Sequence, residues 1–312
     1  MLPFWISIAL LSLGQGAVVA LARAPDATSS RAQPAVVRAA GLARLRARGW
    51  AALPPASVLA FVLVAGAAQQ ASAQTLTYVA LVGVPLLALL ALSWRAARAR
   101  GAIVVPVLAL FALAWVDRGG LAGEAAAFVL TALSCVALGT LLAWVTPPRW
   151  LAAGIVAMAA ADTALVVSDL LRKPSNALNA AHPAAGLPRL QSAVLGSAVM
   201  GYGDLFAAAA LGALLAMTAG RSVQRRAAVL TALLALCFDL LFFFVDELPA
   251  TVPVALTLIL LSARSRLASA RRARARASGA PPRSRRPGPV AAPPRALDPR
   301  PSAPRDQTEA AR

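Results

Sequence analysis

The strongest constraint on this chain is a recurrence of apolar runs long enough to cross a membrane. A helix needs about 20 residues to traverse roughly 30 Å of hydrocarbon. Nine such stretches can be read, at roughly 2–22, 51–69, 76–94, 102–117, 123–145, 150–171, 191–219, 227–246 and 248–263, of which the fourth and ninth are short. In lipid every backbone N–H and C=O must be satisfied within the protein, so runs of this kind fold as helices. The expected fold class is all-α, a polytopic membrane protein of about nine transmembrane helices in residues 1–263. A basic loop at 23–50 follows the first span. Residues 264–312 are rich in Arg, Pro and Ala without apolar periodicity, and are expected to be a disordered tail.

Hydrophobic residues make up 59% of the chain and charged residues 13%, about half the charged share of an ordinary soluble domain. A soluble fold is thereby excluded. The formal net charge of +18 raises nucleic acid as a partner, but the placement of the charges answers it. With nine spans, the loops after spans 1, 3, 5 and 7 and the tail share one face and carry 26 of the 30 basic residues. The other face has only Arg118, Arg172, Lys173 and Arg189. That is the asymmetry of the positive-inside rule, so the amino terminus is expected outside and the tail in the cytoplasm. No specific nucleic-acid partner is implied. The tail's arginines are suited to anionic lipid headgroups. The expected location is an integral position in a bacterial cytoplasmic membrane, with the lipid bilayer as first partner. The first run also has a rival reading as a cleaved signal peptide, because "VALARA" precedes Pro25, although it lacks a basic start.

Metal and thiol chemistry have little to work with. His182 is the single histidine, and Cys135 and Cys237 both sit in apolar runs with no C-x-x-C. No metal or cofactor is expected. Trp94, Trp115, Trp144 and Trp150 fall at predicted span ends, as an aromatic belt requires. The remaining chemistry is carboxylate chemistry.

Asp162, Asp204 and Asp239 fall well inside predicted spans, where one carboxylate costs about 2.5–3.5 kcal/mol to insert. Such residues are functional candidates by default. Asp162 lies about twelve residues into the sixth span, roughly 18 Å. Asp204 lies about thirteen residues into the returning seventh span, roughly 20 Å. Two antiparallel neighbours thus bring two carboxylates to one depth. Asp169 lies about 10 Å higher, near the span end. Two facing carboxyls cannot both ionise and so share a proton. One can then take a proton from water while the other gives one to a carbonyl oxygen. Small residues around them, in "MAAADTA" and "MGYGD", permit close helix approach. Gly201 and Gly203 loosen the local helix, which is tolerable where the backbone faces a wet cavity. The same pair would equally suit a proton-coupled transporter or a helix-holding contact. Asp239 has two readings, one facing the cavity and one hydrogen-bonded to a neighbouring helix.

The three segments "AAADTALVV", "GYGD" and "ELPATVPVAL", in that order, resemble the GxGD intramembrane aspartyl proteases, the presenilin and signal peptide peptidase family. The resemblance covers about residues 150–263 at motif level. It implies nine spans and a catalytic dyad of Asp162 and Asp204. It also implies that Gly201, Tyr202 and Gly203 are motif residues and that Pro249 and Ala250 open the substrate-positioning P-A-L element. Thr251 stands where that element has leucine, and Ala161 where the family has tyrosine before the first aspartate. The derived orientation is similar to that of the signal peptide peptidase branch, implying transmembrane substrates of type II orientation. The alternatives are a transporter or a catalytically silent scaffold of the same fold. A minor alternative is a protein similar to prepilin peptidases, using Asp169 with Asp204, although Phe206 occupies the position of that motif's lysine.

Overall fold

The computed structural model describes residues 3–22, 47–67, 69–94, 103–181, 183, 186–245 and 247–277. Most of the expected 23–50 loop, His182, Asp246 and the tail beyond Ala277 lie outside the described residues. A compact unit runs to Ser265, and residues 266–312 form a second one.

In chain order the elements are α1 (Phe4–Leu21), a 3₁₀ turn (Arg48–Ala52), α2 (Leu53–Ala67), α3 (Gln69–Ser93), α4 (Val104–Val116), α5 (Leu121–Val145), α6 (Pro148–Val167) and α7 (Arg172–Ala180). A hairpin of β1 (Ser192–Leu195) and β2 (Ala198–Gly201) follows. The chain continues as α8 (Tyr202–Thr218), α9 (Arg221–Asp239, prolonged by a 3₁₀ turn to Phe243) and α10 (Val252–Ala277). Among the described residues five helical stretches are long and apolar enough to cross a membrane: Phe4–Leu21, Ala71–Ser93, Leu121–Val145, Pro148–Val167 and Arg221–Phe243. Large apolar side chains stand outward on the flanking helices, among them Leu63, Val79, Val82, Leu86, Val105 and Leu108. Contiguous apolar faces of this kind belong against lipid. The architecture is that of a helical membrane protein.

The buried centre is α8, whose Ala207, Ala208, Ala209, Ala210, Leu211 and Ala213 are at most 2% exposed. It packs on α5, α1 and α6. Gly139 of α5 meets the backbone at Ala209 and Ala210, and Gly212 meets Val19 and Ala22 of α1, so any side chain at either glycine would collide. Without a hydrophobic force between helices in lipid, close backbone approach of this sort supplies the packing energy. The contacts also fix direction. Ser134 lies beside Tyr202 and Gly139 beside Ala209, so α5 and α8 run the same way. Pro148, pre-set for a helix start, turns the chain at once into the returning α6. α9 returns along α1, and Gln224 donates its Nε2 to the Val19 carbonyl at 2.7 Å and to that of Ala22, closing the open end of α1.

Three expectations are corrected. The stretch 191–219 is not one helix, because Ser192–Gly201 forms the hairpin. "GRSVQRR" is not a loop: Gly220, at φ 80°, breaks the chain and α9 begins at Arg221, with Arg225 and Arg226 inside it. Long arginine stems lie along apolar surface while their heads reach water, which makes such a start tolerable. The ninth run becomes helical only at Val252, and its helix continues to Ala277, into the stretch expected to be a disordered tail.

Candidate active site

Asp204 occupies the third position of α8 rather than its middle. Its Oδ2 accepts the Gly201 N–H at 3.1 Å, satisfying one of the donors that every helix start leaves open. This is half of a capping box, since glycine has no side chain to complete it. The hairpin behind it pairs Leu195 with Ala198, Val194 with Val199, Ala193 with Met200 and Ser192 with Gly201. Gly196, at φ 60°, is the first of the two turn residues, where a type II′ turn places glycine. Its N–H donates to Glu124 Oε2 at 2.6 Å, and Ser197 N–H to Ser7 Oγ at 3.4 Å. The turn is therefore tied to the first residues of α5 and α1. Ten residues further along α5, Ser134 hydrogen-bonds the Tyr202 hydroxyl at 3.0 Å, and the Cys135 thiol faces the Tyr202 carbonyl at 3.7 Å. Ten helical residues span about 15 Å. The hairpin thus descends that far before α8 begins, carrying Asp204 to depth by strand instead of helix.

Asp162 sits in the last third of α6 and is 8% exposed. Its Oδ2 accepts the Thr251 hydroxyl at 2.6 Å, and the Thr251 backbone N–H also faces it. Thr251 directly precedes α10, so this carboxyl lies at a second helix start. Next to it, the Ala250 carbonyl accepts Gln15 Nε2 from α1 at 2.8 Å, and the Pro249 carbonyl accepts Val252 N–H at 3.1 Å.

The helices that carry the two aspartates, α6 and α8, pack on each other. Met158, one turn before Asp162 and on the same helix face, has its Cε 3.2 Å from where a side chain at Gly203 would begin. Asp162 and Asp204 lie within electrostatic reach of each other. Each stands fourteen residues from the end of its helix on the same side of the slab, Pro148 and Thr218, or about 21 Å. Asp169 is elsewhere: it is exposed just past the end of α6, at φ 55°, the left-handed conformation that stops a helix. Asp239 accepts the Ser12 hydroxyl at 2.6 Å and so joins α9 to α1.

Among the described residues no three His, Cys, Asp or Glu side chains gather to hold a metal ion. A cleft of about 980 Å³ between α3 and α7 and a pocket of about 280 Å³ beside the hairpin turn are both lined without either aspartate. Gln15, Ser134 and Glu124 were missed by the sequence reading. Polar residues within or at the edge of apolar runs were the available signal for all three.

What this defines is a class of site: two carboxyls on packed apolar helices, Asp204 at the start of α8 and Asp162 beside the start of α10. No family model, no curated protein and no solved structure matches the chain.

Proposed function

We propose that this chain is an intramembrane aspartyl protease of nine spans, hydrolysing peptide bonds within or near transmembrane segments with Asp162 and Asp204. The observation that carries the reading is the convergence of three separate segments, "AAADTA", "GYGD" and "LPAT", on one spot at mid-depth. The charge asymmetry supports an amino terminus outside and a carboxyl terminus in the cytoplasm.

One carboxylate, as base, takes a proton from water, whose oxygen attacks the peptide carbon. The other, protonated carboxyl gives its proton to the carbonyl oxygen. The tetrahedral intermediate collapses with cleavage of the C–N bond, and the leaving nitrogen takes a proton from the dyad. A helical amide is shielded by its own hydrogen bonds, so the substrate must be extended locally. The outward edge of β2, where Val199 and Gly201 are exposed, offers an extended segment a place to pair beside Asp204. No cofactor enters this scheme.

The second reading is a catalytically silent scaffold of the same build. It is favoured by the seating of Asp162, buried and already engaged by Thr251. Purified protein in liposomes, given transmembrane reporter peptides of both orientations, separates the two. The protease reading expects cleavage by the wild type and none by Asp162→Ala or Asp204→Ala. Cleavage surviving Asp162→Ala but not Asp204→Ala would instead promote Asp169. A wild type that cuts no reporter leaves the scaffold.

A further inference from the structure

Four basic residues oppose the charge asymmetry that orients the chain: Arg118, Arg172, Lys173 and Arg189. Each works against correct insertion, so each calls for a local reason. Arg118 and Arg189 share one. Both line the pocket of about 280 Å³ beside the hairpin turn, with Glu124, Leu187 and Val194 among its other walls. Arg189 is half-buried and spends one N–H on the Asn179 carbonyl at 2.9 Å. A guanidinium has five donors, so most of its capacity is left over. The Arg118 guanidinium lies over Gly186, which stands at φ 62°, and any side chain at 186 would displace it. Among the described residues neither arginine forms an ion pair with an acid, although Glu124 lines the same pocket. The Glu124 carboxylate is turned to the Gly196 N–H.

We propose that this pocket receives a carboxylate of a polypeptide segment entering the membrane beside the hairpin. Two guanidiniums line the pocket with the Glu124 carboxylate, and the Asp117 carboxylate is turned to the Gly123 N–H of its wall, so the balance suits a single carboxylate and is exceeded by a phosphate dianion. The apolar walls suit the stem of an Asp or Glu side chain or a chain terminus. The wall residue Val194 belongs to β1, and the turn held by Glu124 begins the descent toward Asp204. A segment gripped here lies about 15 Å from the aspartates, about five residues if extended or ten if helical. The inference rests on the proteolytic reading for the identity of its ligand, while the binding itself requires no cleavage.

The test measures binding of fluorescent transmembrane peptides to the full-length protein in phosphatidylcholine liposomes. The peptides carry Asp, Asn or Lys at one flanking position. The wild type is expected to hold the Asp peptide about tenfold tighter than its Asn twin, the worth of one charge-assisted contact. Arg118→Gln with Arg189→Gln should erase that preference. Arg118→Glu with Arg189→Gln should transfer it to the Lys peptide, an outcome that a misfolded variant cannot give. Equal binding of the Asp and Asn twins by the wild type, or a preference that survives the double substitution, overturns the proposal. So does a preference that vanishes when phosphatidylglycerol is added, which would make the pocket a lipid headgroup site. Acid-selective binding without cleavage sustains this pocket and sinks the protease; cleavage indifferent to the acid does the reverse.

Discussion

Two helices, α8 and α10, start inside the apolar slab, and the chain reaches their starting points by different means. Toward α8 it descends along β2, where every second residue pair is bonded across the ladder to β1 and the outer edge is left open. Toward α10 it descends from Phe243 to Thr251 without a strand partner. The second route depends on particular groups: Pro249 has no N–H to satisfy, Gln15 takes the Ala250 carbonyl, and Asp162 takes the Thr251 hydroxyl and N–H. Hydrocarbon tolerates non-helical backbone only where protein or a cavity answers its polar groups. One entry therefore rests on a strand pairing and the other on single groups from other helices. The two aspartates differ accordingly. Asp204 caps its own helix, whereas Asp162 is an anchor for a foreign segment as well as a candidate acid or base.

That difference can be broken most decisively at the aspartates. In the reporter assay Asp162→Asn and Asp204→Asn are each expected to lower the cleavage rate by about 10²–10⁴-fold, the usual share of a positioned acid or base. Stability should separate them where activity does not. Asp162→Ala strips the partner from buried Thr251 and should cost about 1–2 kcal/mol, near the upper range for hydrogen bonds inside membranes. Asp204→Ala removes one cap contact at a half-exposed position and should cost about 1 kcal/mol or less. Denaturation of both variants in the same detergent checks the order; a less stable Asp204 variant would contradict the contrast.

Gln15→Leu is the next largest expected effect. It leaves the Ala250 carbonyl without its donor but also removes a buried Gln15 Oε1 that has no partner, so the two changes partly offset. A loss of about 1 kcal/mol is expected, with cleavage falling about tenfold because the segment beside Asp162 shifts. Measuring the melting temperature and the cleavage rate together tests this. Unchanged values in both would mean that the α10 entry is held by packing alone.

Much of this architecture was legible because hydropathy reports burial in lipid directly. Each expected span contains or overlaps a helix, and Asp162 was placed by counting along one. Hydropathy does not report hydrogen bonding, and it failed at "SAVLGSAVMG", as apolar as a span yet folded as strand. The signal present was local: β-branched Val194 and Val199 on either side of Gly196-Ser197. The count of thirteen residues from Gln191 to Asp204 fails with it, because β1 runs up to the turn and β2 back down, so that Ser192 lies beside Gly201. Thr251 was read only as a departure from a motif. Its hydroxyl supplies a hydrogen bond that leucine could not give, and long-range pairing of this kind has no trace in sequence spacing.

The hairpin, held by a ladder as well as by its tied turn, should yield less to substitution than the α10 entry. Gly196→Ala forces a side chain into a left-handed turn position, at about 1 kcal/mol. Gly196→Asn should recover most of that loss, since asparagine tolerates this conformation, while the ladder below remains paired in both. Asp239→Asn is expected to do least. An amide oxygen can still accept the Ser12 hydroxyl, so a change within about 0.5 kcal/mol and full cleavage activity are expected. The comparison it sharpens concerns all three acids that fall within predicted spans. Asp239 holds α9 to α1 through the Ser12 hydroxyl, and among the described residues no second carboxyl bonds it to share a proton. Should Asp239→Asn instead abolish cleavage, the chemistry could not be confined to the ends of α8 and α10, and the dyad would need a third member reaching it through α1.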